Sequence, residues 1–163
     1  MKKFLLGLAV MVSLFSAPVF AISGEQEAAI KERCDAIKSD LKTVQYADSR
    51  ARVYLGRYYE IILSKYITPL NMRLVENNLS DNDLIANQDS FAKARNAFII
   101  DFIEYQRTLE ELVGTNCKTE PAKFYELLVK TRSKRKTVAN DVVIIRRLTN
   151  EQIQLATKLK EKI

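Results

Sequence analysis

Apolar side chains recur at steps of three and four residues along most of the chain, and polar side chains fill the positions between them. This spacing places the apolar residues on one face of an α-helix, whereas a half-buried strand would alternate at every second residue. Because no segment alternates in that way, the pattern predicts an all-α protein. The apolar face of the first predicted helix consists of Ile30, Cys34, Ile37, Leu41, Val44, Ala51, Leu55, Tyr58 or Tyr59, Ile62 and Tyr66.

Capping residues divide this pattern into three helices. Ser23 opens the first helix with a capping box, and polar turn-forming residues should end it by Asn78. Hydroxyl and acidic residues at 80–83 cap the second helix, and Gly114 suits its C-terminal end. Proline is tolerated in the first turn of a helix, so Pro121 opens the third.

The connections between the three helices are short, which makes neighbouring helices antiparallel. We therefore predict an elongated up-down-up three-helix bundle. Pro69 removes a backbone donor within helix 1 and crowds the preceding turn, so we expect a kink or a break near this residue. A coiled-coil oligomer formed through helix 1 is the alternative, but Asp48 and Pro69 interrupt the heptad pattern that it needs.

Cys34 and Cys117 are the only two cysteines, and a polar turn at 76–78 lies midway between them. If the chain runs out as one helix and returns as the next, both cysteines reach the same end of the hairpin. We expect a disulfide there, which in an exported protein would clip the base of the hairpin. The alternative is two buried free thiols that pack as small apolar residues.

Residues 1–21 have the form of a signal peptide. Lys2 and Lys3 precede an almost entirely apolar stretch, and a small-residue cleavage site follows, ending at Ala21. An uncleaved anchor is the alternative, although the stretch is shorter than the ~20 residues that span a bilayer. We therefore expect a secreted or periplasmic protein whose single helical-bundle domain covers residues 22–163.

The chain carries a formal net charge of +6, and the excess of basic residues lies in helix 3. A dense basic run there contains Lys130, Arg132, Lys134, Arg135 and Lys136. Such a run can bind anionic lipid or a cell-wall polymer, or it can form a solvated face. No aromatic side chains alternate with these cations, so the run does not predict a nucleic-acid site.

Counting residues from the ends of the helices places acidic side chains of helices 1 and 2 at the height of the basic run. We predict a polar layer at this level, formed by Asp48, Asp101, Glu104, Arg132, Lys134 and Arg135. Removing one member of such a layer can destabilise a protein by more than the pair contributes, because its partner is left without a counter-charge.

The composition excludes several kinds of catalytic site. The chain has no histidine and no tryptophan, and its two cysteines are expected to pair with each other. This leaves neither the usual zinc ligands nor a Ser–His or Cys–His nucleophile, and no glycine-rich phosphate loop occurs. We expect no catalytic residues, no metal and no cofactor, although two carboxylates brought together by the fold stay open as acid–base groups.

Five tyrosines crowd helix 1, at positions Tyr46, Tyr54, Tyr58, Tyr59 and Tyr66. We expect that some of them pack at the edge of the bundle with their hydroxyl groups in water. An exposed aromatic cluster is the alternative, and it would indicate a binding surface.

The C-terminal half also resembles a known layout. The residues that carry the resemblance are Cys117, Phe124, Leu128, Arg132, Val138, Asp141, Ile145 and Arg146. Their spacing is similar to that of uncharacterised small secreted two-cysteine helical-bundle proteins of candidate-phyla, reduced-genome bacteria. The resemblance implies a helical fold and an extracytoplasmic location but no activity, and Pro69 and the basic run depart from it. The three polar positions of the pattern are expected to make separate contacts to helices 1 and 2.

These features favour an exported, non-enzymatic protein that acts as a structural or protein-interaction module of the cell envelope, with an unknown protein as its partner. One alternative is binding of an anionic membrane or a cell-wall polymer through the basic face of helix 3. A periplasmic chaperone-like role is another, and it needs an exposed apolar concavity. The sequence leaves the oligomeric state open.

Overall fold

The computed structural model describes residues 22–161, and this part of the chain is helical apart from its short connections. The helices are α1 (Gly24–Glu32), α2 (Cys34–Ile61), α3 (Thr68–Glu76), α4 (Asn82–Gly114) and α5 (Pro121–Lys160), with a π-helical segment (Ile62–Ile67) between α2 and α3. No strand occurs within these residues, so the predicted all-α class is confirmed. The three-helix count is not confirmed, because the first predicted helix is divided into α1, α2, the π-helical segment and α3.

The predicted export segment and the possibility of a membrane-spanning helix bear on where the chain lies relative to a membrane. The predicted signal peptide at 1–21 and its cleavage site lie outside the described residues. Within the part of the chain that is described, no helix combines the length and the apolar character needed to cross a lipid bilayer.

α1 begins with the capping box that the sequence predicts. The Gln26 backbone N–H donates to Ser23 Oγ at 3.2 Å, and the Ser23 backbone N–H donates to Gln26 Oε1 at 3.0 Å. Each side chain thereby satisfies a donor that the start of the helix would leave unpaired. At Arg33 the backbone leaves helical geometry (φ −97°, ψ 10°), which separates α1 from α2.

The interruption predicted near Pro69 is a change of helix type rather than a break. Proline cannot donate a backbone hydrogen bond, and its ring crowds the carbonyl group four residues earlier. The chain widens into π-helical turns just before this proline, and the Thr68 N–H bonds to the carbonyl oxygen of Leu63, five residues back. Ile67 and Thr68 keep right-handed helical dihedral angles, so helical structure continues through Pro69 into α3.

The chain reverses direction at the polar turn that the sequence places near residue 78. Asn78 adopts a φ of 58°, the left-handed conformation that asparagine tolerates better than most residues. Its N–H donates to the carbonyl oxygen of Val75 at 3.1 Å, which caps the C-terminal end of α3. Asp81 then opens α4, because its Oδ1 accepts from the N–H groups two and three residues later, at 2.9 and 3.2 Å.

Contacts between distant parts of the chain show that α4 runs antiparallel to the helices before it. Near the start of α2, Lys38 donates to the carbonyl oxygen of Thr115 at 3.3 Å, just beyond the end of α4. In α3, Asn71 donates to the carbonyl oxygen of Leu84 at 3.0 Å, near the start of α4. α4 makes its most extensive contact with α5 and its next most extensive contact with α2, so it is the central helix.

The core follows this central helix. Its largest fully buried side chains are Phe91, Phe98, Tyr105, Leu109 and Leu112 of α4, with Phe124 and Ile145 of α5, Ile67 of the π-helical segment and Leu84 of α4. α2 contributes Tyr59, which packs edge-on against Phe98 with ring centres 5.2 Å apart. The apolar stripe of α4 is therefore the surface on which the other helices pack.

The disulfide predicted from the sequence is confirmed. Cys34 and Cys117 are bonded to each other, their Cα atoms lie 5.6 Å apart, and both side chains are buried. The bond joins the first residue of α2 to the connection between α4 and α5. Lys118, next to the bond, pairs with Asp35 at 2.6 Å, so the base of the fold is closed by a covalent bond and by an exposed ion pair.

Candidate functional site

An aspartate of α2 joins three helices. Asp48 Oδ2 accepts a hydrogen bond of 2.6 Å from the Tyr105 hydroxyl group of α4. The two carboxylate oxygens of Asp48 also accept from the Arg135 guanidinium group of α5, at 3.0 and 3.1 Å. This two-point pairing is a strong geometry for a carboxylate and a guanidinium group. The Asp48 side chain is only 16% exposed, whereas that of Arg135 is 57% exposed, so the contact lies at the edge of the fold.

We call Asp48, Tyr105 and Arg135 the Asp48 junction. Burial raises the pKa of the Tyr105 hydroxyl group, and its hydrogen bond to Asp48 raises the pKa further. The hydrogen bond to Asp48 also raises the pKa of Arg135. Both donors therefore stay protonated at neutral pH, so the junction keeps its hydrogen-bond donors.

A second ion pair joins α4 to α5 beside this junction. Lys134 of α5 donates to Glu104 of α4, and this hydrogen bond lowers the pKa of the Glu104 carboxyl group. The two other residues of the predicted polar layer, Arg132 and Asp101, form no ion pair with any residue between 22 and 161. Arg132 is exposed to solvent, whereas Asp101 lies beside another carboxyl group.

The basic run of the third predicted helix is divided by these contacts. Lys134 and Arg135 are held by carboxylates of α4 and α2. Lys130, Arg132 and Lys136 are exposed and form no ion pair within the described part of the chain. A surface for an anionic partner on α5 would therefore consist of these three side chains.

A buried carboxyl group faces another one at the α4–α5 interface. Asp141 is 8% exposed, and no donor among residues 22–161 reaches its Oδ2. Burial, followed by the charge of Asp101 and a hydrogen bond with it, raises the pKa of Asp141 from 3.8 to about 6. Because both groups are carboxyls, they can share a hydrogen bond only while one of them holds a proton. No spacing in the sequence indicates this pair, since the two residues meet only through helix packing.

We expect Asp141→Asn to stabilise the protein by roughly 1–2 kcal/mol at pH 7.5 and to have little effect at pH 4. The unfolded chain releases the Asp141 proton near pH 3.8 and the folded chain near pH 6. Between these values the folded state binds more protons, so its stability falls as the pH rises. Urea unfolding at both pH values checks this expectation.

The control for this experiment is Asp40→Asn, which changes an exposed carboxylate of α2. It should leave the free energy of unfolding nearly unchanged at both pH values. If Asp141→Asn changed the stability equally at pH 4 and pH 7.5, the carboxyl group of Asp141 would titrate as in the unfolded chain, contrary to our expectation.

Four of the five tyrosines of the first predicted helix are exposed, whereas we expected some of them to pack at the edge of the bundle. Tyr46, Tyr54, Tyr58 and Tyr66 are between 48% and 70% exposed, and only Tyr59 is buried. Burial raises the pKa of Tyr59, and the neighbouring Tyr58 adds to this shift. The physical reason for the exposure is that α2 packs mainly against one helix, α4, so its opposite side meets solvent.

This exposed side of α2 combines aromatic, basic and aliphatic side chains. We define the α2 aromatic face as Tyr46, Arg50, Val53, Tyr54, Arg57, Tyr58 and Ile61. The rings of Tyr54 and Tyr58 are parallel, with centres 6.3 Å apart. The Arg50 guanidinium group lies 5.8 Å from the centre of the Tyr46 ring, within the range of a cation–π contact. The face also encloses a shallow groove of about 530 Å³.

A signal for this face is present in the sequence, in the regular spacing of four of its residues. Positions 46, 50, 54 and 58 are four residues apart, so they follow one side of a helix. Tyr46 and Tyr59 are separated by thirteen residues, which places them on roughly opposite sides.

Neither a metal site nor a known relative indicates a further functional residue among residues 22–161. Within residues 22–161, no group of three or more histidine, cysteine, aspartate or glutamate side chains could hold a metal ion. Comparison with protein-family models, with curated proteins and with solved structures finds no match to this chain. The resemblance to secreted two-cysteine helical proteins therefore stays a prediction.

Proposed function

We propose that this protein is an exported, non-enzymatic interaction module of the cell envelope and that it binds a protein partner through the α2 aromatic face. The observation that carries this proposal is the exposure of Tyr46, Tyr54 and Tyr58 on a helix whose other side is packed. Tyrosine and arginine are enriched at the centres of protein interfaces. A tyrosine buries a large area and loses little side-chain freedom on binding, which favours affinity.

The remaining elements suit the role of a rigid support. In this proposal the helices before residue 78, α4 and α5 form an elongated up-down-up bundle. Two contacts join α2 to its neighbouring helices. They are the Asp48 junction and the ion pair between Glu60 of α2 and Arg95 of α4. The buried disulfide supports export, because such bonds persist in oxidising compartments.

Replacing two tyrosines of the face should remove partner binding and leave the fold intact. We expect Tyr54→Ser/Tyr58→Ser to lower the yield of a partner cross-link at least ~10-fold, since interface hot spots contribute about 2 kcal/mol or more each. The measurement is photo-cross-linking in the producing cells, with a benzophenone side chain in place of Tyr46. The matched control is Ile100→Ser/Ile103→Ser, which removes two exposed apolar side chains of α4. This control should leave the cross-link unchanged.

Two results would contradict the proposal. One is an equal loss of the cross-link in both double variants, which would point to a general effect on the protein. The other is an equally strong cross-link from a benzophenone at the exposed Lys93 of α4, because contact would then not be specific to the α2 aromatic face. A cross-link to a second copy would identify the partner as the protein itself.

A second candidate function is binding of an anionic membrane or a cell-wall polymer through α5. It is favoured by the exposure of Lys130, Arg132 and Lys136, and such binding should weaken as the salt concentration rises. A chaperone-like role would instead need a broad apolar concavity. The α2 aromatic face mixes tyrosine with arginine, which suits a specific partner better than a range of unfolded chains.

A further inference from the structure

A groove lies between α2 and α5, above the central helix α4. Its volume is about 450 Å³, which is within the range of small-molecule sites. Apolar side chains form its floor, contributed by Ala51 of α2, Phe102 of α4 and Val138 of α5. The groove exists because α4 packs closely against both neighbours, whereas α2 and α5 approach each other less closely.

Charged side chains line the rim of this α2–α5 groove. Arg135 is paired there with Asp48, and this pair carries no net charge. Arg132 and Lys136 lie one helical turn apart on α5 and line the same groove. Both are exposed, and neither forms an ion pair within residues 22–161. The groove therefore combines two uncompensated positive charges with an apolar floor.

We propose that the α2–α5 groove binds a single-chain anionic amphiphile. The phosphate or carboxylate head group lies between Arg132 and Lys136, where two cations can bind one anion. The alkyl tail lies on Phe102 and Val138, where it is removed from water. An inorganic anion would use only the rim and a neutral alkyl compound only the floor, so a ligand with both parts fits the groove best.

Two further observations support this site. The Asp48 junction fixes Tyr105 and Arg135, which form part of the groove wall, so little ordering is needed when a ligand binds. The groove also shares no residue with the α2 aromatic face. This second site goes beyond the proposed function, and either can fail without the other.

Titration calorimetry on the full 163-residue chain tests this site. The three probes are hexyl phosphate, which has a head group and a tail, inorganic phosphate, which has only the head group, and hexanol, which has only the tail. We expect saturable single-site binding of hexyl phosphate that is at least ~10-fold tighter than binding of either other probe. Binding of hexyl phosphate should weaken as the salt concentration rises.

Charge-removing variants locate the binding site. Arg132→Gln/Lys136→Gln should weaken hexyl phosphate binding at least ~10-fold, and both positions are exposed, so the fold should be retained. The matched control is Arg146→Gln/Lys158→Gln, which removes the same charge from exposed positions of α5 outside the groove. The control should change the affinity less than ~2-fold. All variants keep residues 1–21, so any binding by the apolar stretch there is common to all of them.

Several results would overturn this inference. Equal weakening in the two double variants would show that only the net charge of α5 matters. Inorganic phosphate binding as tightly as hexyl phosphate would show that the floor contributes nothing, and hexanol binding as tightly would remove the role of the two cations. Absence of saturable hexyl phosphate binding up to ~10 mM would also make the inference wrong.

Discussion

Removing the Cys34–Cys117 disulfide is expected to lower the free energy of unfolding by about 4 kcal/mol. The two cysteines are 83 positions apart in the sequence, so the bond closes a long loop. In the chain-entropy account, a long closed loop restricts the unfolded ensemble more than a short one does, and the loss is correspondingly large. Because the bond ties the start of α2 to the base of α4 and α5, we also expect faster amide exchange there.

Urea unfolding of Cys34→Ala/Cys117→Ala, followed by far-ultraviolet circular dichroism, measures this loss. Each single variant should lose about as much as the double variant, since either substitution abolishes the bond. A loss below ~1 kcal/mol would contradict the expectation and would indicate that the unfolded chain is already restricted without the bond.

Asp48→Ala is expected to destabilise the protein by roughly 2–3 kcal/mol, the second-largest effect. The substitution leaves the hydroxyl group of Tyr105 without an acceptor, and this residue is only 1% exposed. An unsatisfied buried hydroxyl group costs about 1–3 kcal/mol. Arg135 adds less, because its side chain is 57% exposed and can be solvated again when its partner is lost.

Three comparisons separate these contributions in the same unfolding experiment. Tyr105→Phe removes the hydroxyl group but keeps the Asp48–Arg135 pair, so it should cost about 1 kcal/mol. Arg135→Gln should cost less than about 1 kcal/mol because the pair is partly exposed. Asp40→Ala, an exposed change on the same helix, should stay within about 0.5 kcal/mol of the unchanged protein. If Arg135→Gln cost as much as Asp48→Ala, the ion pair and not the buried hydroxyl group would dominate.

Features that depend on neighbouring residues could be predicted from the sequence. The capping box at Ser23, the cap at Asp81 and the turn at Asn78 each involve hydrogen bonds within a few residues, so local chemistry is sufficient. The disulfide also followed, because the turn midway between Cys34 and Cys117 brings the two helices back to a common base.

The candidate sites could be predicted from the sequence only in part. Counting along the helices gives the position of a residue along the bundle axis. Whether a cation of α5 faces α2 and α4 or solvent depends on the rotation of α5 about its own axis. In the structure Lys134 and Arg135 reach carboxylates, whereas Arg132 points to solvent and lines the α2–α5 groove. The meeting of Asp101 with Asp141 has the same origin, since it arises from the packing of α4 against α5.

The all-α class, the starts of the first two predicted helices, the turn and the cysteine pair follow from the sequence, because periodicity and capping report how each helix is built. The division of the first predicted helix at Arg33 does not follow from these signals. Which side of α2 faces solvent depends on how the helices pack together. Burial depends on how many helices surround a side chain, and periodicity along one helix carries no information about that number. With α4 as the main neighbour of α2, Tyr59 is buried while Tyr46 and Tyr54 remain in water.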